Sequence, residues 1–112
     1  MKAGDVVLIR FPQGPGASKL RPALVLAILP GAYQDALVCG ISTQLTSETI
    51  GWDERLKPAD SDYGESGVHR ESLICLSYLA SIFRRDISGI IGTIGPNRLE
   101  SLQQRLSQFL VQ

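Results

Sequence analysis

Two short apolar segments joined by a stretch rich in glycine and proline place the strongest constraint on the fold. The segments are residues 5–11 (DVVLIRF) and 22–29 (PALVLAIL), and the stretch between them is residues 12–20 (PQGPGASKL). Val, Leu and Ile bounded by Gly, Pro and Asp are typical of strands, whereas so much Gly and Pro excludes both helix and strand. We therefore predict two strands and a flexible loop. Arg21 lies where the loop meets the second strand, and Pro22 restricts Arg21 to an extended backbone.

The rest of the chain contains further strand-like segments. Strands are predicted at residues 36–42, 50–56 and 72–76, with one or two more in residues 82–94, bent at Gly89 or Gly92. Residues 77–81 are interpreted as a single helical turn. Residues 57–67, which include several acidic residues, form the longest predicted loop, and we expect this loop to be mobile.

The C-terminal segment has the pattern of an amphipathic helix. Pro96 suits the first helical position, where its missing N–H has no consequence, and Ile94 and Leu99 have the spacing of a hydrophobic staple. The predicted apolar stripe is Leu99, Leu102, Leu106, Phe109 and Leu110, and the predicted water-facing residues are Arg98, Gln103, Gln104 and Arg105. Short strands followed by one such helix predict a mainly β fold with α: a small half-open β-barrel with the helix packed on it.

Size and composition limit the classes of protein and of site. A chain of 112 residues is expected to form one domain, residues 1–112. No apolar run approaches the roughly 20 residues that cross a bilayer, and the N-terminus lacks a signal-peptide pattern, so we expect a cytoplasmic protein with no membrane segment. Cys39 and Cys75 lie in apolar runs and are interpreted as core residues. With one His and no Cys-x-x-Cys spacing, no metal site or other cofactor is predicted.

Charge neither excludes nor requires a nucleic-acid partner. Eleven basic and eleven acidic residues give a net charge of zero, which argues mildly against broad binding to phosphates. A local basic groove remains possible, because a field depends on how charge is distributed. Its candidate residues are Arg10, Lys19, Arg21, Arg84 and Arg85.

Several segments in order carry a resemblance to a known family. They are a Gly-Asp-apolar first strand with its loop, residues 21–25 (RPALV), a strand that ends in residues 42–44 (STQ), and the downstream pair 71–76 (ESLICL) and 91–96 (IGTIGP). This order resembles the MazF/PemK (Kid) family of toxin endoribonucleases of type II toxin–antitoxin systems. The resemblance covers most of the chain and implies an SH3-like half-open barrel with a C-terminal helix, similar to MazF and CcdB.

The resemblance also implies an activity and its partners. It places the two catalytic positions of the family, an Arg and a Thr, on Arg21 and Ser42. The implied protein is a homodimeric mRNA interferase that needs neither metal nor ribosome and cuts single-stranded RNA at a short sequence, leaving 2′,3′-cyclic phosphate and 5′-hydroxyl ends. Its implied partner is an antitoxin whose disordered tail occupies the RNA groove, a case of folding on binding.

Candidate RNA-binding residues surround these two positions. Phe11 lies beside the loop and could stack on an unpaired base, Lys19 is one of the basic candidates, and Gln44 could bond a base edge or a phosphate. Thr43 could replace Ser42 as hydroxyl donor, but neighbouring strand residues face opposite sides, so only one of the two is expected in the groove. Our choice is Ser42.

Other interpretations stay open. Ser42 departs from the Thr of the family, and Arg10 stands where the family usually has an acidic residue. His69 could be a general base, although a lone His beside Arg70 is more often a surface residue. The alternative function is a non-catalytic binding protein of the same fold, either a CcdB-like gyrase inhibitor or a decayed MazF-like interaction module.

Overall fold

The computed structural model describes residues 1–12 and 18–112, and the side chains of residues 1–10 and 19–112. The strands are β1 (Asp5–Pro12), β2 (Ser18–Ile28), β3 (Ala36–Ser42), β4 (Glu54–Leu56), β5 (Ser72–Ile82) and β6 (Ile87–Thr93). The helices are α1 (Tyr63–Ser66) and α2 (Pro96–Leu110), with 3₁₀ turns at Leu45–Ser47 and Arg84–Asp86. The loop was predicted at residues 12–20, but β1 extends to Pro12 and β2 begins at Ser18, so both strands include part of it. The remaining residues of the predicted loop, 13–17, lie outside the described part of the chain.

The six strands form one antiparallel sheet in the order β4-β5-β3-β2-β1-β6. The first three strands pair in sequence, and β6 returns to the free side of β1. A mainly β, six-stranded antiparallel sheet with a C-terminal helix confirms the predicted fold class and is consistent with a half-open barrel.

The core consists of two apolar clusters built from alternate residues of the same strands. Leu24 belongs to the cluster that also contains Leu102 and Leu106 of α2, so this cluster lies between sheet and helix. Its neighbours Ala23 and Val25 belong to the other cluster, as the two-residue period of a strand requires. Full burial of a Leu or Val side chain contributes about 1.5–3 kcal/mol, which makes these clusters the main source of stability.

The start of α2 follows the prediction. Pro96 occupies the beginning of the helix after Gly95, and Ile94 and Leu99 both pack on the first cluster. The backbone N–H of Gly95 donates to Asp62 Oδ2 at 2.9 Å. This hydrogen bond links the start of α2 to the segment that precedes β5.

The strand predicted at residues 50–56 is confined to β4, and two other predictions about secondary structure are wrong. The helical turn at residues 77–81 is absent, because β5 continues to Ile82 and pairs with β3 there, with Ser81 opposite Leu37 and Leu79 opposite Cys39. A register shift between Cys39 and Gly40 interrupts this pairing, which explains why the local sequence does not read as one strand. The segment 57–67 is also no plain loop, since it contains α1.

Arg98 and Arg105 do not simply face water, as the helical pattern had predicted. Arg98 forms ion pairs with Glu54, Asp60 and Asp62, and only 14% of its side chain is exposed. Arg105 pairs with Glu54 and donates to the carbonyl of Trp52. Two of the acidic residues of segment 57–67, Asp60 and Asp62, are the partners that bind it to α2.

Candidate functional site

A groove of about 690 Å³ lies at one end of the sheet. Its walls are the beginning of the RPALV segment on β2, the end of β3, and the residues that lead into β5, with one residue each from β1 and β6. The lining residues are Leu8, Arg21, Pro22, Ile41, Ser42, Thr43, Gly67, Val68, His69, Arg70, Ser72 and Ile91. This volume is within the ~300–1,000 Å³ that is usual for ligand-binding clefts.

Strand pairing brings Arg21 and Ser42 to the same groove. β2 and β3 are antiparallel neighbours, with Ala23 opposite Gly40. Extended by two residues, this register would place Arg21 opposite Ser42, and both residues line the groove. A rigid sheet therefore positions a guanidinium and a hydroxyl together, although 20 residues separate them in the sequence.

The Ser42 hydroxyl takes part in a local hydrogen bond. Its Oγ accepts from the backbone N–H of Gln44 at 3.0 Å, which is the strand-end bond that Ser commonly makes. A hydroxyl also carries one hydrogen that it can donate. The bond from Gln44 therefore orients the oxygen and still leaves Ser42 able to donate to a phosphate oxygen.

Thr43 lines the groove as well, so the expectation that only one of the two residues would do so is wrong. Alternation of faces requires a strand that continues, but β3 ends at Ser42 and the chain bends at Thr43. Beyond the strand end, the alternation of faces no longer applies.

Close backbone contact with β6 fixes the groove wall that precedes β5. Gly67 has φ of 80°, and a Cβ on it would clash with the carbonyl oxygen of Ile91. A Cβ on Gly92 would likewise clash with the backbone of Glu65 and Ser66. Two glycines therefore allow segment 63–67 to pack directly on β6, and the chain that follows forms the wall.

Side-chain hydrogen bonds hold this wall on either side. Ser66, which is buried, accepts from the N–H of Val68 at 3.3 Å, and Ser72 Oγ donates to the carbonyl of Arg70 at 2.9 Å. His69 lies between these two anchors and is exposed. The groove wall is thus a segment with a defined backbone.

The charged side chains that line the described part of the groove are positive. Arg21 and Arg70 both contribute, and no Asp or Glu is among the lining residues at positions 1–12 and 18–112. A groove with two guanidinium groups attracts anions although the chain as a whole has no net charge. The zero net charge therefore does not argue against a nucleic-acid site here.

The other predicted residues lie around the groove or away from it. Lys19 is exposed on β2, opposite Phe11 on β1, and Gln44 precedes the 3₁₀ turn; neither lines the groove. The side chain of Phe11 lies outside the part of the chain that the structure describes. Arg84 and Arg85 belong to a different pocket, together with Tyr33 and Phe83.

The sequence interpretation did not place His69 and Arg70 in the site. Both are polar residues before a strand, a position that is usually on the surface, and both are exposed. The available signal was their position next to β5, whose Leu73 pairs with Ser42. That pairing places the residues before β5 at the end of the sheet where Ser42 lies.

Of the two cysteines that were predicted to be core residues, Cys39 belongs to the first apolar cluster, whereas Cys75 belongs to neither cluster. Cys39 is buried and Cys75 half-buried, and burial is the main cause that raises the pKa of each thiol above its ordinary value. Thiols held in the protonated form are poor nucleophiles and poor metal ligands. Within residues 1–12 and 18–112, no three His, Cys, Asp or Glu side chains are grouped so that they could share a metal ion.

Comparison with known families agrees with the fold. No helix in the described part of the chain is long and apolar enough to cross a membrane. A search of curated proteins found no significant match. Residues 2–110 match the model of a family described as PemK-like, MazF-like toxin of type II toxin–antitoxin system. Toxins of this family are generally endoribonucleases, and a type II system implies an antitoxin partner. Because the match spans nearly the whole chain, this protein belongs to the PemK-like, MazF-like toxin family.

Proposed function

We propose that this protein is a sequence-specific endoribonuclease toxin that cuts single-stranded RNA without a metal ion and without the ribosome. Arg21 and Ser42 are its catalytic residues, and the products carry a 2′,3′-cyclic phosphate and a 5′-hydroxyl. The observation that carries the proposal is that these two side chains line one positively charged groove in a member of a toxin family whose members are typically ribonucleases.

The chemistry requires stabilisation of negative charge. The 2′-oxygen of the RNA attacks the neighbouring phosphorus, and the bond from phosphorus to the 5′-oxygen breaks. Between these events the phosphorus has five oxygen substituents and additional negative charge. A guanidinium makes two charge-assisted hydrogen bonds in one plane to phosphate oxygens, and Arg21 is the group proposed for this role.

Ser42 and Arg21 have different roles in this proposal. The Ser42 hydroxyl donates to a non-bridging phosphate oxygen while its own oxygen accepts from Gln44 N–H. Arg21 acts through its charge and not as a base, since a guanidinium stays protonated in proteins. Preorganised donors of this kind are usually the largest contribution to the rate of such reactions.

Metal independence follows from the same residues. Catalytic Mg²⁺ is usually held by carboxylates, and no carboxylate lines the described part of the groove. The positive charge that a metal would supply is available from Arg21 and Arg70.

The substrate and partners extend beyond the groove. We place Thr43, Gln44 and Lys19 along the path of the RNA, with Phe11 as a stacking surface for a base. We infer that the protein acts in the cytoplasm as a homodimer. The disordered tail of an antitoxin would bind the groove in place of RNA, with its acidic groups on Arg21 and Arg70.

The test is cleavage of a mixed-sequence RNA by purified protein in EDTA, with both new ends chemically mapped. We expect defined cuts with cyclic phosphate and 5′-hydroxyl ends. Arg21→Lys should reduce turnover by about 100- to 1,000-fold, the usual effect of losing a preorganised donor, while the protein remains folded. Activity that requires added Mg²⁺ or Mn²⁺ would contradict the mechanism. RNA binding without new ends would favour the non-catalytic alternative.

A further inference from the structure

We propose that His69 is the general base of the cleavage reaction and accepts the proton of the attacking 2′-hydroxyl. This inference rests on the proposed ribonuclease function and adds a third catalytic residue to Arg21 and Ser42. It starts from the position of the only histidine in the chain, which lines the same groove as those two residues.

The chemistry of the groove leaves the role of proton acceptor to His69. The guanidinium groups of Arg21 and Arg70 stay protonated. The Ser42, Thr43 and Ser72 side chains are hydroxyls, which do not accept a further proton near neutral pH, and no carboxylate lines the described part of the groove. An imidazole is the side chain that gains and loses a proton in this pH range. Among the described lining residues, His69 alone can therefore act as a base.

The fold gives His69 a defined position. The chain before it is fixed by the approach of Gly67 to the carbonyl of Ile91, which leaves no room for a side chain at position 67. The chain after it is fixed by the hydrogen bond from Ser72 Oγ to the carbonyl of Arg70 at 2.9 Å. A general base must come within about 2.6–3.2 Å of the oxygen that it deprotonates. His69 is exposed and lines the groove, so its imidazole is accessible to RNA that enters the groove.

The charged surroundings of His69 are positive on the groove side. Arg21 on β2 and Arg70 beside it share the groove. The nearest acidic residue in sequence is Glu71, which forms an ion pair with Arg55 at 3.3 Å. Carboxylates on the other strands and on α1 do not line the described part of the groove. No carboxylate there competes with the imidazole for the proton.

The step balances without a further reactant. A neutral ring nitrogen of His69 takes the 2′-hydroxyl proton as the 2′-oxygen forms its bond to phosphorus. The bond from phosphorus to the 5′-oxygen then breaks, and that oxygen takes a proton from water. The imidazolium afterwards releases its proton to solvent, which restores the neutral base and the net composition.

The test measures single-turnover cleavage of a short oligoribonucleotide that carries a site mapped with wild type, in EDTA, across pH 5 to 9. His69→Gln and His69→Ala are compared with Glu65→Gln, an exposed change on α1 outside the groove lining. Binding is measured with the same oligonucleotide bearing a 2′-deoxy sugar at the attacking position, which cannot be cleaved. Circular dichroism establishes that each variant is folded.

We expect both His69 variants to lose about 10²- to 10⁴-fold in rate, the usual contribution of a general base, while binding of the deoxy oligonucleotide stays within about twofold of wild type. The fall in rate toward low pH in wild type should disappear in His69→Gln. Glu65→Gln should behave as wild type. Wild-type rate and an unchanged acidic limb in His69→Gln would overturn the role of His69 and leave the proposed function intact. A loss of binding that matches the loss of rate would also overturn it, since His69 would then be a binding residue. Failure of wild type to cut any RNA would overturn both proposals together.

Discussion

Arg98 and Asp62 form a bidentate ion pair between α2 and the segment that leads into the groove wall. Arg98 Nε donates to Asp62 Oδ2 at 2.8 Å, and a terminal nitrogen of the same guanidinium donates to Oδ1 at 3.1 Å. Asp62 Oδ2 also accepts from Gly95 N–H, at the start of α2. One carboxylate thus joins the helix start to segment 57–67, and Gly67 at the end of that segment begins the described wall of the groove.

Removal of Arg98 should destabilise the protein more than removal of any exposed arginine. Hydrogen bonds to charged groups contribute about 1.5–3 kcal/mol each, and loss of one member of a part-buried pair leaves the others unsatisfied. Arg98→Ala should therefore lower the free energy of unfolding by about 2–4 kcal/mol, as measured by urea denaturation. Arg98→Lys should recover only part of this loss, because an ammonium cannot make the paired planar contact.

Arg105→Ala is the matched control for Arg98. It lies on the same helix and also pairs with Glu54, at 3.2 Å, but makes fewer contacts with carboxylates. We expect a loss of about 1 kcal/mol for this more exposed pair. Equal losses for the two variants would show that the Asp60 and Asp62 contacts add nothing to stability.

The ion pair should make stability sensitive to acid. Burial alone would raise the pKa of Asp62, but hydrogen bonds from Arg98 and Gly95 outweigh it, so the pKa lies below its ordinary value. The folded state therefore binds this proton less readily than the unfolded chain, and stability is lost as pH falls below about 4 through the lowered pKa. Asp62→Asn should be less stable than wild type at pH 7, and the difference should shrink toward pH 2. A difference that stays constant across this range would contradict the assignment, and Asp86→Asn, on an exposed turn, is the control.

Two glycines of β6 provide a test of how the groove wall is fixed. A methyl group at Gly92 would meet the backbone of Glu65 and Ser66, whereas one at Gly89 would meet nothing within 4 Å. Gly92→Ala should lower the free energy of unfolding by about 1–3 kcal/mol, as overpacking usually does, and should also reduce RNA cleavage because the wall is displaced. Gly89→Ala should stay within about 0.5 kcal/mol of wild type. Similar unfolding curves for the two variants would mean that α1 does not pack tightly on β6.

Most of the sheet and the final helix could be predicted from local patterns. The bounds of Ala36–Ser42 match the predicted strand, because an apolar run between turn-forming and polar residues is visible in the sequence itself. The second half of β5 could not be predicted in this way, since its strand conformation depends on pairing of Ser81 with Leu37. The ion pairs of Arg98 were missed for the same reason: helical periodicity shows that a residue is polar but not which distant carboxylates lie beside it.

The residues of the candidate site likewise include some that the sequence could indicate and one that it could not. The resemblance supplied Arg21 and Ser42, and a single strand pairing between β2 and β3 is enough to bring them together. His69 lines the groove because β5 pairs with β3 and because Gly67 allows the chain before β5 to approach Ile91 on β6. Both are contacts between segments far apart in sequence. Composition and spacing contain no information about that approach.

The proposed homodimer requires an apolar surface that two copies of the chain can bury. Large apolar side chains are exposed on and between β5 and β6, namely Tyr78, Leu79, Phe83, Ile90 and Ile91. Light scattering should report about twice the chain mass of 12.2 kDa. Ile90→Glu should shift the protein to monomer, because a charge buried in an interface is unfavourable. Ile50→Glu, at a residue that is 83% exposed and outside this region, should leave the dimer intact. A monomeric wild type would contradict the proposed assembly.

Substitutions at Ser42 test the hydroxyl that is proposed to donate to the phosphate. Ser42→Ala removes both the donor to phosphate and the acceptor for Gln44 N–H, and should lower turnover by up to about 100- to 1,000-fold. Ser42→Thr retains the oxygen and adds a methyl group that restricts χ1, so its activity should equal or exceed that of wild type. Thr43→Ala removes the second hydroxyl that lines the groove and so distinguishes its contribution from that of Ser42. We expect a smaller loss of turnover than for Ser42→Ala, because Thr43 lies beyond the end of β3. Single-turnover rates, with binding of the 2′-deoxy oligonucleotide as control, distinguish these cases. If Thr43→Ala loses more activity than Ser42→Ala while both proteins remain folded, the catalytic hydroxyl belongs to Thr43.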